Sequence, residues 1–227
     1  MAKKHAIIMM RLSAPTADEA AWNEWYNTRH LADRLKIPGW LSARRFKAVD
    51  GKSGYMTLYE LADASAVNHP DYFKLREWEK QQASDSFWAI TRNLSNFTRG
   101  LYEQVFPEAG DYKAPNSNFL FVVGHDVPRN HEKEFNAWYN TEHIPGMFRV
   151  PGFLTARRFV TCKTRTSPQG GGFNPESKYL SVYDIASEKA FDSPEFNKEK
   201  DSPWASWVRS WYTKKIRCLY RKVYSST

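Results

Sequence analysis

Cysteine is scarce in this chain: there are two among 227 residues, Cys162 and Cys218. They form no Cys-x-x-Cys pair, so neither a disulfide framework nor a zinc site is expected and both read as ordinary thiols. Long apolar runs are missing too. Nothing approaches the roughly 18 residues a membrane span needs, and the opening MAKKHAIIMM lacks the long apolar core and small-residue cleavage site of a signal peptide. The expectation is a cytoplasmic protein without membrane contact. A formal net charge of +8 could serve a nucleic acid, but Lys and Arg are scattered among Asp and Glu without a block of five or six like charges. Solvated basic surface is the plain reading and one anionic substrate the next. No Ser/His/Asp arrangement, HExxH, GxSxG or dinucleotide fingerprint occurs. The glycines at 170 to 172 precede no helix, which removes a phosphate-binding loop. No metal site and no cofactor are expected.

What is present is a repeat. NEWYNTRH at 23 to 30 returns as NAWYNTEH at 136 to 143. At a constant offset of 113, residues 23 to 46 match in 13 of 24 positions, where unrelated segments would agree at about one or two. The domain plan is therefore a first unit at 1–106, a linker at 107–117 and a second unit at 118–227. With 41% hydrophobic and 15% aromatic residues, such units can fill a core and still line a pocket.

The first unit opens on HAIIMMRL, an apolar run suited to a strand buried on both faces. Thr16 and Glu19 have the spacing of a capping box, and a helix follows in which Trp22, Tyr26 and His30 share one face. Pro38 and Gly39 stop it. Residues 40 to 49 and GYMTLYELA form a hairpin across DGKSG. A helical region runs from about Asp63 to Asn96, broken near His69 and Pro70, and LYEQVF at 101 to 106 closes the unit. The second unit repeats this βαββαβ order: NFLFVVGHD, a helix from about Asn130, GFLTARRFV, KYLSVYDIA, a helix from about Ser187 to Thr213, and LYRKVY. The offset grows to 124 at the hairpin return, which locates an insertion of about eleven residues in KTRTSPQGGGFNPES, either a flap or a plain loop.

Two βαββαβ units, each carrying Trp-Tyr-Asn-Thr-x-His ahead of a Pro-Gly and a strand, resemble the dimeric α+β barrel superfamily. Within it the chain is similar to the EthD-like and stress-responsive barrel domains. The second copy matches the W-Y-x-x-x-H-[IL]-P pattern through His143, Ile144 and Pro145; the first departs where Ala32 replaces the proline. The resemblance implies an α+β fold of two tandem ferredoxin-like units packed as an intrachain barrel, since a sheet covered on one side must bury its other face. A homodimer is a further assembly it leaves open. It implies a pocket in each half between sheet and helices. Polyketide cyclases, isomerases, dehydratases and cofactor-free monooxygenases are among its known activities, with heme-binding relatives at greater distance.

Such reactions need a base and a donor that stabilises an enolate or phenolate. His30 and His143 are the candidate proton carriers, with Tyr26 and Tyr139 one helical turn away as hydrogen-bond partners. His5 and His69 join them as catalytic candidates, because cyclases of the superfamily place histidines on the first strand and near the second helix; this makes the first unit the richer half. Trp25, Trp138, His125 and the strand pairs Arg44, Arg45 and Arg157, Arg158 are candidates for substrate binding. Each has a structural alternative: the histidines as helix-end packing, the tryptophans as core, the arginines as salt-bridge partners. The expected function is a cofactor-independent acid/base enzyme of lyase, isomerase or cyclase type acting on a small aromatic or apolar substrate, with an anionic one as an option. Its alternatives are a cofactor-free monooxygenase and a non-catalytic EthD-like accessory protein.

Overall fold

The computed structural model describes residues 4–15, 18–51, 54–94, 96–108, 113, 117–162 and 172–226. Thr16, most of the expected linker and most of the hairpin insertion lie outside them. The chain has a mixed α+β fold divided into two compact units. The first takes residues 1–103, 161–175 and 223–227, and the second residues 104–160 and 176–222.

In the first unit the strands are β1 (Ala6–Leu12), β2 (Trp40–Ala48), β3 (Tyr55–Leu61) and β4 (Thr98–Phe106). They pair antiparallel in the order β4-β1-β3-β2, with Ile8 opposite both Tyr59 and Leu101. Six of the seven β1 residues are buried, as its unbroken apolar run predicts. Between β1 and β2 the helix runs as α1 (Glu19–Trp25), a π-helical turn (Tyr26–His30) and α2 (Leu31–Leu35). Asp18 caps it, its carboxylate accepting from the Ala21 N–H at 3.1 Å with φ at 52°. Glu19 turns away from the helix end, accepting from the Tyr55 hydroxyl at 2.5 Å and Lys47 at 3.0 Å.

After β3 come a 3-10 turn (Ala64–Asn68), α3 (Pro70–Lys80) and α4 (Phe87–Arg92), so the long helical region is broken at His69 and Pro70 as expected and again before Phe87.

The second unit has β5 (Phe119–Asp126), α5 (Glu132–Trp138), a π-helical turn (Tyr139–His143), α6 (Ile144–Phe148), β6 (Phe153–Thr161), β7 (Tyr179–Ile185), α7 (Pro194–Glu199), α8 (Pro203–Arg209) and β8 (Thr213–Ser226). Its strand order is β8-β5-β7-β6, antiparallel throughout. Pro194 and Pro203 each sit at a helix start and divide the expected long helix. β8 is longer than LYRKVY suggested.

Two repeated features are explained by packing. Gly39 and Gly152 have φ of 87° and 96°, and a Cβ on them would come within 3.0 Å of Ala66 and 3.2 Å of Ala190. Only glycine suits that turn in either unit. Arg45 donates to Asn27 at 2.7 Å and Asn23 at 2.8 Å, and Arg158 donates to Asn140 and Asn136 at 2.7 Å each. The guanidinium centres lie 4.1 Å and 4.4 Å from the Tyr26 and Tyr139 rings. The recurrent Asn and Arg positions are thus one clamp, built twice, that fixes the first helix of each unit to its sheet.

Candidate functional site

The clamp decides which way the end of each first helix faces. Beyond it the backbone widens into the π turn: Leu31 N–H bonds to the Tyr26 carbonyl, and Ile144 N–H to that of Tyr139, so each turn holds the motif from Tyr to His. Such bulges are frequent at functional sites. Each delivers its histidine to a cavity.

In the first unit the cavity measures about 180 Å³. Its wall includes His30 and the aromatic residues Trp40, Tyr72, Trp88 and Phe97, together with four arginines, Arg34, Arg76, Arg92 and Arg99. The single lining carboxylate is Glu79, which accepts from Arg34 at 2.6 Å and Arg76 at 3.1 Å. Arg92 donates to the Glu79 carbonyl at 3.0 Å, and Arg99 to the Tyr72 hydroxyl. His30 is 4% exposed, and both of its ring nitrogens lack a hydrogen-bond partner. Its ring lies against Tyr26 at 4.2 Å, Trp88 at 5.0 Å and Trp25 at 5.3 Å. Burial first, then the charge of Arg34 and Arg45, holds its pKa well below the usual histidine value.

The cavity of the second unit measures about 300 Å³. His143, His125, Trp138, Tyr139 and Tyr212 line it with Lys200, Arg209, Lys214 and Arg217, against one carboxylate, Asp201. His143 stacks on Trp138 at 4.7 Å, and burial with Arg209 and Arg158 lowers its pKa to about 3. His125 is 2% exposed, follows a β-bulge between β5 and β8, and is likewise lowered to about 3 by burial first and then by Lys214 and His143. Lys214 is pulled down by burial and by Arg217 and Arg209.

Several expectations change. Histidines titrating near neutral pH give way to imidazoles held uncharged, because apolar walls and fixed cations both oppose protonation. Tyr26 does not hydrogen-bond to His30: its hydroxyl accepts from Thr57 at 3.3 Å while its ring packs on the imidazole. Tyr139 presents its ring to His143 in the same way, and burial raises its phenol to about 12. His5 pairs with Glu60 at 2.7 Å, and His69 caps α3 by accepting from the Asp71 N–H at 3.2 Å; neither lines the cavity. The second unit, with two lining histidines, is the richer one.

Arg44 lies 3.6 Å from Glu60, and Arg45 and Arg158 are taken by the clamp. None of these three, nor Arg157, is among the described residues that line these two cavities. Trp138 reaches a cavity wall, whereas Trp25 stands behind His30 and Trp88. Sequence reasoning missed Arg34, Arg76 and Glu79, and also Trp88 and Arg92, whose counterparts Trp204 and Arg209 appear only when the offset shifts to 116 and 117. It also missed Arg99 and Arg217, which the offset of 118 relates and which both line cavities.

Among the described residues no group of three or more His, Cys, Asp or Glu could hold a metal ion, and no helix is long and apolar enough to cross a membrane. The heme that the resemblance named at greater distance would need a histidine oriented through its second ring nitrogen. Neither ring nitrogen of His30 has such a partner.

No family model and no curated protein matches the chain. Solved structures do. An anthrone oxidase-like protein superposes with a TM-score of 0.65 at 12% identity, covering 99% of this chain and 93% of its own. A provisionally assigned monooxygenase from Fusobacterium nucleatum subsp. nucleatum gives 0.61 at 12%, with 100% and 96% covered. A provisionally assigned chlorite dismutase gives 0.55 at 15%, with 98% and 96% covered. At such identity the likeness is one of fold, and this chain shares their mixed α+β architecture over nearly its full length.

Proposed function

We propose that the chain is an enzyme that abstracts a proton from a small aromatic substrate, with His30 and His143 as the acceptors and no organic cofactor. One observation carries this reading: a buried imidazole whose ring nitrogens have no protein partner lines an aromatic cavity rich in cations. Buried polar atoms are nearly always satisfied, so an orphaned pair asks for a ligand. Because the ring is uncharged in the empty cavity, its lone pair is available at any physiological pH. The arginines that oppose a positive charge on His30 also favour a negative charge on the substrate. A phenolic or enolic proton passes to the imidazole as the substrate anion forms beside it, because that negative charge offsets the burial and the arginine field that otherwise hold the ring neutral and is itself matched to the guanidiniums.

The fate of that anion separates two reaction types. Reprotonation elsewhere or loss of a leaving group makes a lyase, isomerase or cyclase. Reaction with dioxygen makes a cofactor-free oxygenase, which the names of the anthrone oxidase-like and monooxygenase-assigned structures favour. A tandem duplication of a ferredoxin-like unit related to the EthD-like domains is the origin that the repeated clamp and π turn support.

The test is turnover of hydroxylated aromatics followed both by oxygen uptake and by product analysis. Loss of a general base costs about 10²- to 10⁴-fold, so His30→Gln combined with His143→Gln should remove at least a hundredfold while the circular dichroism spectrum stays unchanged. Full turnover in the folded double variant would overturn the assignment.

A further inference from the structure

We infer that the first-unit cavity is a receptor for a single-ring aromatic acid, held by its carboxylate at Arg76 and Arg92 with a hydroxyl offered to His30. This rests on the proton-transfer reading for the role of the histidine, but the anchoring by charge stands on different residues.

Size comes first. About 180 Å³ is slightly more than the 150 Å³ that admits benzene, so one substituted ring matches the space. Trp40, Tyr72, Trp88 and Phe97 supply the faces and edges such a ring packs on.

Charge comes second. Four guanidiniums share the wall with one carboxylate, and Glu79 already accepts from Arg34 and Arg76. Arg34 is 4% exposed and tied to Glu79 and to the His30 carbonyl at 3.0 Å, so it is structural. Arg76 keeps a quarter of its side chain exposed, and Arg92 is exposed on α4. Of the lining arginines these two can turn to a ligand at least cost to the fold. A planar carboxylate matches their donor geometry.

The described end of the hairpin insertion adds to the wall of the same cavity. Gly172 lines it, and Phe173 lies 4.3 Å from the Arg99 guanidinium. Asn174 is fastened to Arg99 by two backbone-directed bonds of 2.9 Å, and it donates to the Phe97 carbonyl at 3.2 Å. Residues 172–174 are thereby held beside the ring site.

The experiment is calorimetric titration at pH 7 with 4-hydroxybenzoate and with 4-hydroxybenzamide, which keeps ring and hydroxyl but carries no charge. A charge-assisted hydrogen bond contributes about tenfold or more in affinity. The acid should therefore bind at least about tenfold more tightly than the amide. Arg76→Gln and Arg92→Gln should each weaken the acid about tenfold and leave the amide unchanged. Equal binding of acid and amide, no saturable binding of the acid, or acid affinity untouched in both variants overturns the inference. If the acid binds as described while His30→Gln turns over normally, the receptor stands and the proton-transfer reading falls.

Discussion

At the scale of the residue, the cavity histidines depart furthest from their ordinary chemistry. His125 is the cleanest case: it is 2% exposed, its Nδ1 has no partner, and its pKa lies near 3 rather than 6.5. With the folded pKa depressed, the unfolded chain takes up this proton first as the pH falls. The stability linked to a neutral His125 is thus fully present above about pH 6.5 and is lost progressively from there toward pH 3. At pH 5 the loss amounts to about 2 kcal/mol for this one group. Urea unfolding at pH 7 and pH 5 should show a loss smaller by about that amount in His125→Gln than in the parent protein. An identical loss in both would mean that His125 is protonated in the fold.

At the scale of the element, helix and strand meet through the clamp. Arg45 projects from β2 into the gap beneath α1, where no carboxylate contributes to its shift: burial lowers its pKa, and Tyr26, Tyr55 and Tyr59 partly restore it. Two asparagine oxygens carry its outer nitrogens. Removing one leaves a buried charged donor unpaired, which costs about 1–3 kcal/mol. Asn27→Ala should lower unfolding stability by that amount, and Asn140→Ala should do the same in the second unit through Arg158. A change below about 0.5 kcal/mol in denaturant unfolding would show that water replaces the amide without loss.

The same elements show what a sequence can reveal. The repeat of Asn, Trp, Tyr, Asn, His, Gly and Arg marked these positions, and strand alternation placed Arg44 and Arg45 on opposite faces. Nothing in a single chain says that the paired asparagines exist to hold the arginine, because the partner lies 18 to 22 residues away across a turn. The π turn was equally hidden. Its residues Tyr, Asn, Thr and His are modest helix formers, and that weakness does not distinguish a widened turn from a helix end.

At the scale of the whole chain, element order and nearly all strand positions were legible, since buried strands and Pro-Gly stops carry local signals. The cavity walls were not. Trp88, Arg76 and Arg92 come from helices after the third strand, where the offset between the copies drifts and the match of Ser86, Trp88 and Ala89 to Ser202, Trp204 and Ala205 is short. His5 and His69 drew attention as histidines but serve an ion pair and a helix cap. What the repeat did preserve is the feature on which the functional account depends, a histidine presented by a π turn to a cavity lined with aromatic rings and cations in each unit. The claim is that this imidazole is neutral when the cavity is empty and takes up a proton from an acidic aromatic guest.

Nitrogen-15 NMR of the imidazole rings, recorded from pH 5 to 8 with and without saturating 4-nitrophenol, tests it most directly. The account predicts that His30 and His143 stay neutral across this range in the free protein and become protonated in the complex, with the bound phenol ionised. Titration of either ring near pH 6.5 in the free protein, or rings that remain neutral beside bound phenol, would contradict it.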